Sequence, residues 1–339
     1  MLLLWDIPRL FALKPMTKPI VICLGEILFD CLADQVGKSL PEVESWTPYP
    51  GGAPANVACA LTKLGTTTAF VGCVGLDKVG DELVELCTNL GVNVTGIQRH
   101  HSAPTRQVYV TRTLEGDRQF AGFGDYPPDQ FADAYLEADK LPSQLFAEAD
   151  FLVLGTLELA YPQARKAIEH ALSLAQEYNV KVVLDVNWRP MFWQYTTEAQ
   201  PLIEQLWQYV DFLKLAKEEA EWLFMTADAE AIAHYLKNVQ GVIVTDGARE
   251  ISYCINKHPG KLKAFTVEAQ DTTGAGDSFV AGLVHQFCQK GMTSLEDSNT
   301  VKEMVTYGCA VGALTTTKPG AIAAQPTAKE VEAFLASQP

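Results

Sequence analysis

Short apolar runs alternate with helical patterns along almost the whole chain, and this alternation restricts the possible folds more than any other feature. Such runs are typical of strands that are buried on both faces of a parallel sheet. The predicted strands are 20–24, 68–74, 151–154, 180–184, 212–215 and 242–245. Helical patterns between and after them cover 54–64, 80–90, 162–178, 218–225, 229–238 and 279–290. The sequence therefore predicts an α/β fold with a doubly wound, mostly parallel sheet, whose ligands bind beyond the carboxyl ends of the strands.

Two pairs of segments depart from this alternation. Segments 107–113 and 118–124 have the two-residue period of strands and are joined by a turn at 114–117. They predict a small antiparallel sheet, which is either a lid over the ligand site or an ordinary edge hairpin. A second pair, 251–255 and 262–267, is expected to complete one edge of the main sheet.

The charge balance excludes some classes of partner. The 339 residues contain 26 Lys and Arg against 41 Asp and Glu, which gives a net charge of −15. Such a surface repels nucleic acids and anionic membranes. The expected partners are therefore small molecules, held by a few well-placed cations.

The eight cysteines form no C-x-x-C pair, and most lie in apolar runs. This pattern indicates buried free thiols in a reducing compartment, so a cytoplasmic protein is expected. No apolar run is long enough to span a membrane. Residues 1–18 are interpreted as an N-terminal extension, and a single domain is expected over 19–339.

The segment 271–279 is the strongest candidate site. Gly274, Ala275 and Gly276 carry no bulky side chain and precede a helix, whose free N–H groups and positive dipole end favour anions. Asp277 is an unusual neighbour for an anion, unless its carboxylate takes a proton from a hydroxyl that attacks a bound phosphate. The alternative is a tight turn with an acid in the first turn of a structural helix.

A second glycine-rich junction lies at 51–58. Gly51 and Gly52 allow close approach of a small ligand, and Asn56 offers both a donor and an acceptor. Asp30 follows the first predicted strand. Together these groups suit the hydroxyls of a polyol, although a helix start beside a solvated acid would give the same pattern.

Further polar residues follow the later strands. Arg189 can fork onto phosphate oxygens, and Asn187 can hold a phosphate or a metal-bound water. Glu219 could act on Mg²⁺ through water, and Thr245 and Gly247 could line a nucleotide pocket. A capped strand end and a helix-start acid are the alternatives. No G-x-x-x-x-G-K-[ST] motif is present, which argues against a P-loop fold, and 72–75 holds only a fragment of a dinucleotide fingerprint.

Segment 271–279 resembles the C-terminal signature of the PfkB/ribokinase carbohydrate kinases, and 51–58 resembles their N-terminal sugar-binding signature. The intervening elements come in the family's order, so the resemblance covers about residues 19–337. The details at 116–120 and 185–193 most resemble the fructokinases, with the 2-keto-3-deoxygluconate kinases second.

The resemblance implies a ribokinase-like fold with a β lid, and transfer of the γ-phosphoryl group of ATP, with Mg²⁺, to a primary hydroxyl of fructose. It implies that Asp277 is the catalytic base and that Arg189 lies near the transferred phosphate. The anion hole would consist of Gly274, Ala275 and Gly276. The sugar-contacting positions would be Asp30, Gly51, Gly52 and Asn56. Nucleotide or metal positions would be Asn187, Thr245, Gly247 and Glu219, and a monovalent cation such as K⁺ would lie near Asp271, Thr273 and Gly320.

Two positions depart from the family pattern, and several alternatives stay open. Ala216 replaces the Asn of the N-x-x-E metal motif, and Glu250 replaces a glycine of the nucleotide strand. A 2-keto-3-deoxygluconate kinase would need a cation for the substrate carboxylate, for which Arg106 is the obvious spare. A non-catalytic sugar or nucleotide sensor would keep the same fold, and the lid could pair subunits in a homodimer.

Overall fold

The computed structural model describes residues 20–114 and 118–338. Its strands are β1 (Ile20–Leu24), β2 (Leu28–Ala33), β3 (Trp46–Gly51), β4 (Thr67–Gly75), β5 (Asn93–His100), β6 (Gln107–Arg112), β7 (Arg118–Gly122), β8 (Phe151–Leu154), β9 (Lys181–Asp185), β10 (Phe212–Ala216), β11 (Gly241–Thr245), β12 (Glu250–Ile255) and β13 (His258–Lys263). Its helices are α1 (Ala53–Lys63), α2 (Lys78–Leu90), α3 (Ser143–Glu148), α4 (Pro162–Tyr178), α5 (Ala199–Glu204), α6 (Lys217–Phe224), α7 (Ala229–Leu236), α8 (Ala275–Lys290), α9 (Ser298–Thr315), α10 (Ala321–Ala324) and α11 (Ala328–Ala336).

The larger sheet has the strand order β13-β12-β11-β10-β9-β8-β1-β4-β5. Strands β11 to β5 in this order pair in parallel, while β12 and β13 are antiparallel. The chain starts at β1, runs to the β5 edge, and then returns to β8 on the other side of β1. The strand order therefore reverses between β1 and β8, which is where a doubly wound sheet binds its ligands.

Alternate residues of β1 serve the two helical layers. Val21 and Cys23 pack in the cluster that contains residues of α1 and α8, whereas Ile22 and Leu24 pack in the cluster that contains α4. This alternation follows from the two-residue period of a strand. The prediction of a doubly wound sheet with helices on both faces is confirmed.

The smaller sheet has the order β3-β2-β6-β7 and contains two strands that the sequence pattern did not reveal. The predicted hairpin forms β6 and β7, which pair antiparallel, and β2 pairs antiparallel with β3 and parallel with β6. Asp30 was expected just beyond β1 but lies inside β2 of this second sheet. The predicted turn at 114–117 falls mostly on residues 115–117, outside the described part of the chain, as does the predicted extension at 1–18.

The antiparallel edge of the large sheet is confirmed, with a tighter turn than expected. Strands β12 and β13 are joined by Asn256 and Lys257, which both have positive φ angles, of 47° and 66°. A two-residue turn of this kind matches the twist of a hairpin. The second strand was expected at 262–267 but spans His258–Lys263, because the turn takes only two residues.

Cysteine and membrane predictions can also be compared with the structure. All eight cysteines are free, and seven of them are buried. Among the described residues, no helix has the length and apolar character needed to cross a bilayer.

Candidate active site

Helix α8 begins with an open N-terminus. Gly274 precedes it with φ of 76°, and a Cβ there would lie 2.7 Å from the Cβ of Ala321, so glycine is required on both counts. The N–H of Ala275 donates to the Thr272 carbonyl at 3.3 Å. The N–H groups of Gly276 and Asp277 have no acceptor among the described residues, so two donors remain available to an anion.

A buried lysine lies directly beside this N-terminus. A Cβ built on Gly276 would be 3.2 Å from Lys214 Nζ, so the glycine keeps the backbone in contact with the ammonium group. Lys214 donates to both carboxylate oxygens of Asp185 at 3.0 Å and is only 7% exposed. Burial lowers the pKa of Lys214, but Asp185 and neighbouring carboxylates outweigh burial and raise the pKa above its usual value. The lysine, paired with Asp185, therefore places an ammonium group at the predicted anion hole.

Sequence reasoning missed Lys214 because it stands inside an apolar strand, β10. A lone lysine in a strand that is buried on both faces is itself a signal, since lysine is almost never fully buried without a partner. The partner, Asp185, comes from the neighbouring strand β9, whose end the sequence had already marked as a candidate site.

Asp277 lies in the first turn of α8 and contacts the other predicted site. Its Oδ2 accepts a hydrogen bond of 2.8 Å from Asn56 Nδ2 on α1. Burial and the Asp185 carboxylate raise the pKa of Asp277 to about 6, against the opposing effects of Asn56, Lys214 and Arg189. A carboxylate with a pKa near the operating pH is suited to take a proton from a hydroxyl.

Gly51 and Gly52 allow the start of α1 to pack against the small sheet. A Cβ on Gly51 would be 2.8 Å from Asp30 Oδ2. Gly52 has φ of 101°, and a Cβ there would lie 2.5 Å from the Glu26 carbonyl oxygen. Burial raises the pKa of Asp30 to about 6. The Ala53 N–H, the first of α1, donates to Glu26 Oε1 at 2.7 Å. Asp30, Gly51, Gly52 and Asn56 are thus grouped at the start of α1, and the Asn56 bond connects this group to Asp277.

Arg189 and Asn187 lie in the segment that follows β9, at the edge of the sheet where the parallel strands end; this edge is called the rim below. The Arg189 side chain is exposed, and Asn187 has φ of 40°, a conformation that asparagine tolerates. Glu219 is buried and braces this rim, because it accepts 2.8 Å and 2.7 Å bonds from the backbone N–H groups of Trp188 and Ala216. The bond from the backbone N–H of Ala216 needs no asparagine side chain at that position.

Asp271, Thr273 and Gly320, the positions near which the resemblance implied a monovalent cation, lie close together, and Arg118 of β7 joins them. Asp271 accepts bonds from Gly320 N at 2.8 Å and from Thr273 N and Oγ1 at 3.0 and 2.7 Å. Arg118 donates to Asp271 at 2.7 Å and also contacts Thr273 Oγ1. Burial raises the pKa of Asp271, but these bonds and Arg118 outweigh it and leave the pKa below its usual value. The small sheet is thereby bonded to the loop that precedes the open N-terminus.

Thr245 and Gly247 lie at the end of β11, the strand next to Lys214's own strand. Thr245 Oγ1 is 3.4 Å from the Leu215 carbonyl, and a Cβ on Gly247 would meet open space. These two residues lie on the same rim as the other site residues, but no described contact joins them to the α8 start.

The free donors and Lys214 suit a phosphate chain, while the acidic groups offer little to a bare metal ion. Among the described residues, no three His, Cys, Asp or Glu side chains cluster as a metal site. A magnesium ion would accordingly depend on the phosphates of a nucleotide for most of its ligands, as Mg²⁺ commonly does.

Comparisons with known proteins show the family to which the chain belongs. The family model for pfkB family carbohydrate kinases matches residues 18–328. Fructokinase-2 of Solanum lycopersicum is 35% identical over 319 residues, which cover 93% of this chain and 96% of that protein. The crystal structure of fructokinase from Xylella fastidiosa with bound ATP has a TM-score of 0.86 and 29% identity, and the match covers 95% of this chain and 99% of that one. A double mutant of the Vibrio cholerae O395 fructokinase, solved with fructose, ADP and a potassium ion, has a TM-score of 0.82 and 26% identity over 94% and 98% of the two chains.

These matches span nearly the whole chain and confirm the ribokinase-like fold. The chain belongs to the pfkB family of carbohydrate kinases and is a sugar kinase.

Proposed function

We propose that this kinase transfers the γ-phosphoryl group of ATP to the 6-hydroxyl of fructose and forms fructose 6-phosphate. One observation carries the proposal: Asp277 lies in the first turn of α8, between free backbone donors and Asn56 of the polyol site. A hydroxyl held there would be adjacent to both a base and an anion hole.

In this mechanism Asp277 accepts the proton of the sugar's primary hydroxyl as that oxygen attacks the γ-phosphorus. The bond to the β,γ-bridging oxygen breaks, and ADP leaves with the electron pair. The N–H groups at Gly276 and Asp277, together with Lys214 Nζ, stabilise the negative charge on the phosphoryl oxygens. Arg189 approaches the same charge from the rim. Mg²⁺ would neutralise phosphate charge. Glu219 would help to hold the ion by accepting a hydrogen bond from a water bound to it.

The acceptor site favours a neutral polyol over a sugar acid. Asp30 and Asn56 offer acceptors and donors for hydroxyls. Arg106, the cation that a 2-keto-3-deoxygluconate carboxylate would need, is 1% exposed and ion-paired with Asp133 at 2.6 Å. The names of the relatives also support fructose, since one of them was solved with fructose bound.

Asn187, Thr245 and Gly247 are proposed to contact the nucleotide. A monovalent cation near Asp271, Thr273 and Gly320 is also proposed, with support from the potassium ion in the Vibrio cholerae relative. Arg118 already supplies one positive charge to this carboxylate. Because of that charge, activation by a monovalent cation such as K⁺ is expected to be modest.

Phosphorylation of fructose, glucose, ribose and 2-keto-3-deoxygluconate, measured side by side, tests the proposal. Release of ADP from MgATP gives the rate, and phosphorus NMR identifies the phosphorylated hydroxyl. Fructose is expected to have the highest kcat/KM, with phosphate at its 6-position. A preference for another acceptor would overturn the assignment to fructose, and ADP release that no sugar stimulates would indicate a sensor.

A further inference from the structure

Arg106 is the largest fully buried side chain among the described residues, and it lies outside the phosphate and hydroxyl sites. Its Nε and Nη2 donate to the two carboxylate oxygens of Asp133 at 2.6 and 2.7 Å, and Nη2 also donates to the Pro128 carbonyl at 2.9 Å. Four aromatic rings surround the guanidinium, with their centres 4.6 to 5.5 Å from its carbon. These rings belong to Phe123, Phe131, Tyr161 and Phe192.

The aromatic cage joins segments that have different tasks. Arg106 immediately precedes β6, and Phe123 follows β7, so both ends of the outer hairpin of the small sheet meet at the guanidinium. The Arg106 carbonyl also accepts a 3.2 Å bond from Phe29 of β2. Arg106 therefore contacts or adjoins three strands of the small sheet, β2, β6 and β7.

Phe192 belongs to the rim that carries Arg189. Its N–H donates to the Arg189 carbonyl at 3.1 Å, and its ring lies 5.1 Å from that of Phe123. The cage thus places the start of β6 and the end of β7, the root of the small sheet, against the turn that carries Arg189.

Stability alone does not account for this arrangement. A buried ion pair gains little over well-packed apolar residues of similar volume, because both charges lose their hydration. Arg106 Nη1 has no hydrogen-bond partner among the described residues, which adds to that cost. The planar guanidinium and the four rings instead hold the segments that they join in one defined arrangement.

We propose that Arg106 is a positioning residue for phosphoryl transfer: it clamps the root of the small sheet to the rim and thereby directs Arg189 toward the anion hole. The inference rests on the proposed kinase function. It assigns no substrate contact to Arg106.

The test is a mutant cycle between the clamp and Arg189. Arg106→Met alone would leave Asp133 buried and unpaired, so the clamp is removed with Arg106→Met/Asp133→Leu, which keeps volume and removes both charges. In the wild-type background, Arg189→Ala is expected to lower kcat by about 10-fold to 100-fold. In the Arg106→Met/Asp133→Leu variant, Arg189→Ala should lower kcat by less than about threefold, because Arg189 no longer points toward the anion hole. Equal losses in the two backgrounds would overturn the proposal.

Hydrogen exchange supplies a readout that does not depend on activity. Amides of β6, β7 and residues 188–193 should exchange faster in the clampless variant, while those of β8 to β10 stay unchanged. The matched control is Lys290→Met/Glu303→Leu, which removes a largely exposed pair between α8 and α9 and should change neither exchange nor the cycle. Unchanged hydrogen exchange in β6, β7 and residues 188–193 would contradict the proposal.

The two hypotheses fail in different ways. A wild-type protein that phosphorylates no sugar defeats the proposed function, and the exchange result then decides whether the clamp exists. An active wild type with an additive cycle defeats the clamp alone. Should the double variant not fold, Arg106→Lys keeps the charge but loses the planar fork, and it should give the same non-additivity.

Discussion

Helices α1 and α8 both begin at a glycine with positive φ, and they meet at the candidate site, yet their N-termini are opposite in electrostatic character. The first N–H of α1 is occupied by the Glu26 carboxylate, and Pro54 at the second position has no N–H. At α8, the N–H groups of Gly276 and Asp277 have no acceptor in the described part of the chain, and Lys214 Nζ lies beside them.

The two helix starts therefore suit different ligands. At α1 the Glu26 carboxyl group already occupies the first N–H, which suits neutral hydroxyls better than an anion. At α8 the backbone donors and the Lys214 ammonium group suit a phosphate. The Asn56–Asp277 hydrogen bond holds the two sites in contact.

The largest expected effect comes from Asp277→Asn, which removes the base but keeps an oxygen for Asn56. We expect kcat to fall by about 10² to 10⁴, the usual contribution of a general base. Binding of ADP, measured by calorimetry, should stay within about threefold. Activity within about tenfold of wild type would remove Asp277 from its role.

Loss of Lys214 would remove the main charge difference between the two helix starts. Lys214→Met is expected to lower kcat by about 10² to 10³, as loss of one oxyanion donor does. Because Asp185 would then be unpaired, Lys214→Met/Asp185→Asn is measured beside it and thermal unfolding is followed for both. A change in sugar KM alone would place Lys214 outside the phosphate site.

Arg189→Ala tests whether Arg189 stabilises charge on the transferred phosphoryl group, at the α8 start, rather than binding the sugar at the α1 start. Since Arg189 is exposed and near the expected phosphoryl position, kcat should fall by about 10-fold to 100-fold while the sugar KM changes little. Steady-state kinetics with fructose and ATP varied separately distinguish the two parameters. A pure KM effect would reassign Arg189 to ground-state binding.

The pH dependence should report the raised pKa of Asp277. The ionised form is the base, so kcat/KM, which reports the pKa of the free enzyme, should be constant above pH 7 and fall by up to about tenfold per pH unit below about 6. Lys214 lowers the pKa of Asp277, so Lys214→Met should move the fall to higher pH. A profile that is flat down to pH 5 would contradict this assignment.

Glu26→Gln should have the smallest effect, because glutamine still offers an acceptor to the Ala53 N–H. We expect kcat to stay within about threefold of wild type, since the α1 side holds no phosphate. Burial raises the pKa of Glu26 to about 7, above its unfolded value, so its contribution to stability is present at low pH and lost as the pH rises through about 7. The variant should therefore gain free energy of unfolding relative to wild type between pH 5 and pH 8, by roughly 1 to 3 kcal/mol. Denaturant melts at both pH values measure this, and a relative loss at pH 8 would contradict it.

Most of the large sheet could be predicted, because most of its strands are continuous apolar runs, whereas the polar edge strand β5 was missed. The small sheet was only half predicted. β2 and β3 hold Asp30, Tyr49 and two prolines, and such mixed segments form strands only because they pair with each other and with β6.

The sequence alone determined the local features of the site: the turn at Gly274, which needs a positive φ, the acid in the first turn of α8, and the second glycine-rich start at Gly51. Each is set by the conformational demands of a few consecutive residues. Only the tertiary structure decided which charges meet them, namely Lys214 and Asp185 at α8, Glu26 at α1, and Arg118 at Asp271. A charged side chain takes its role from the groups that exclude water around it, and those groups lie on strands and loops far away in the chain.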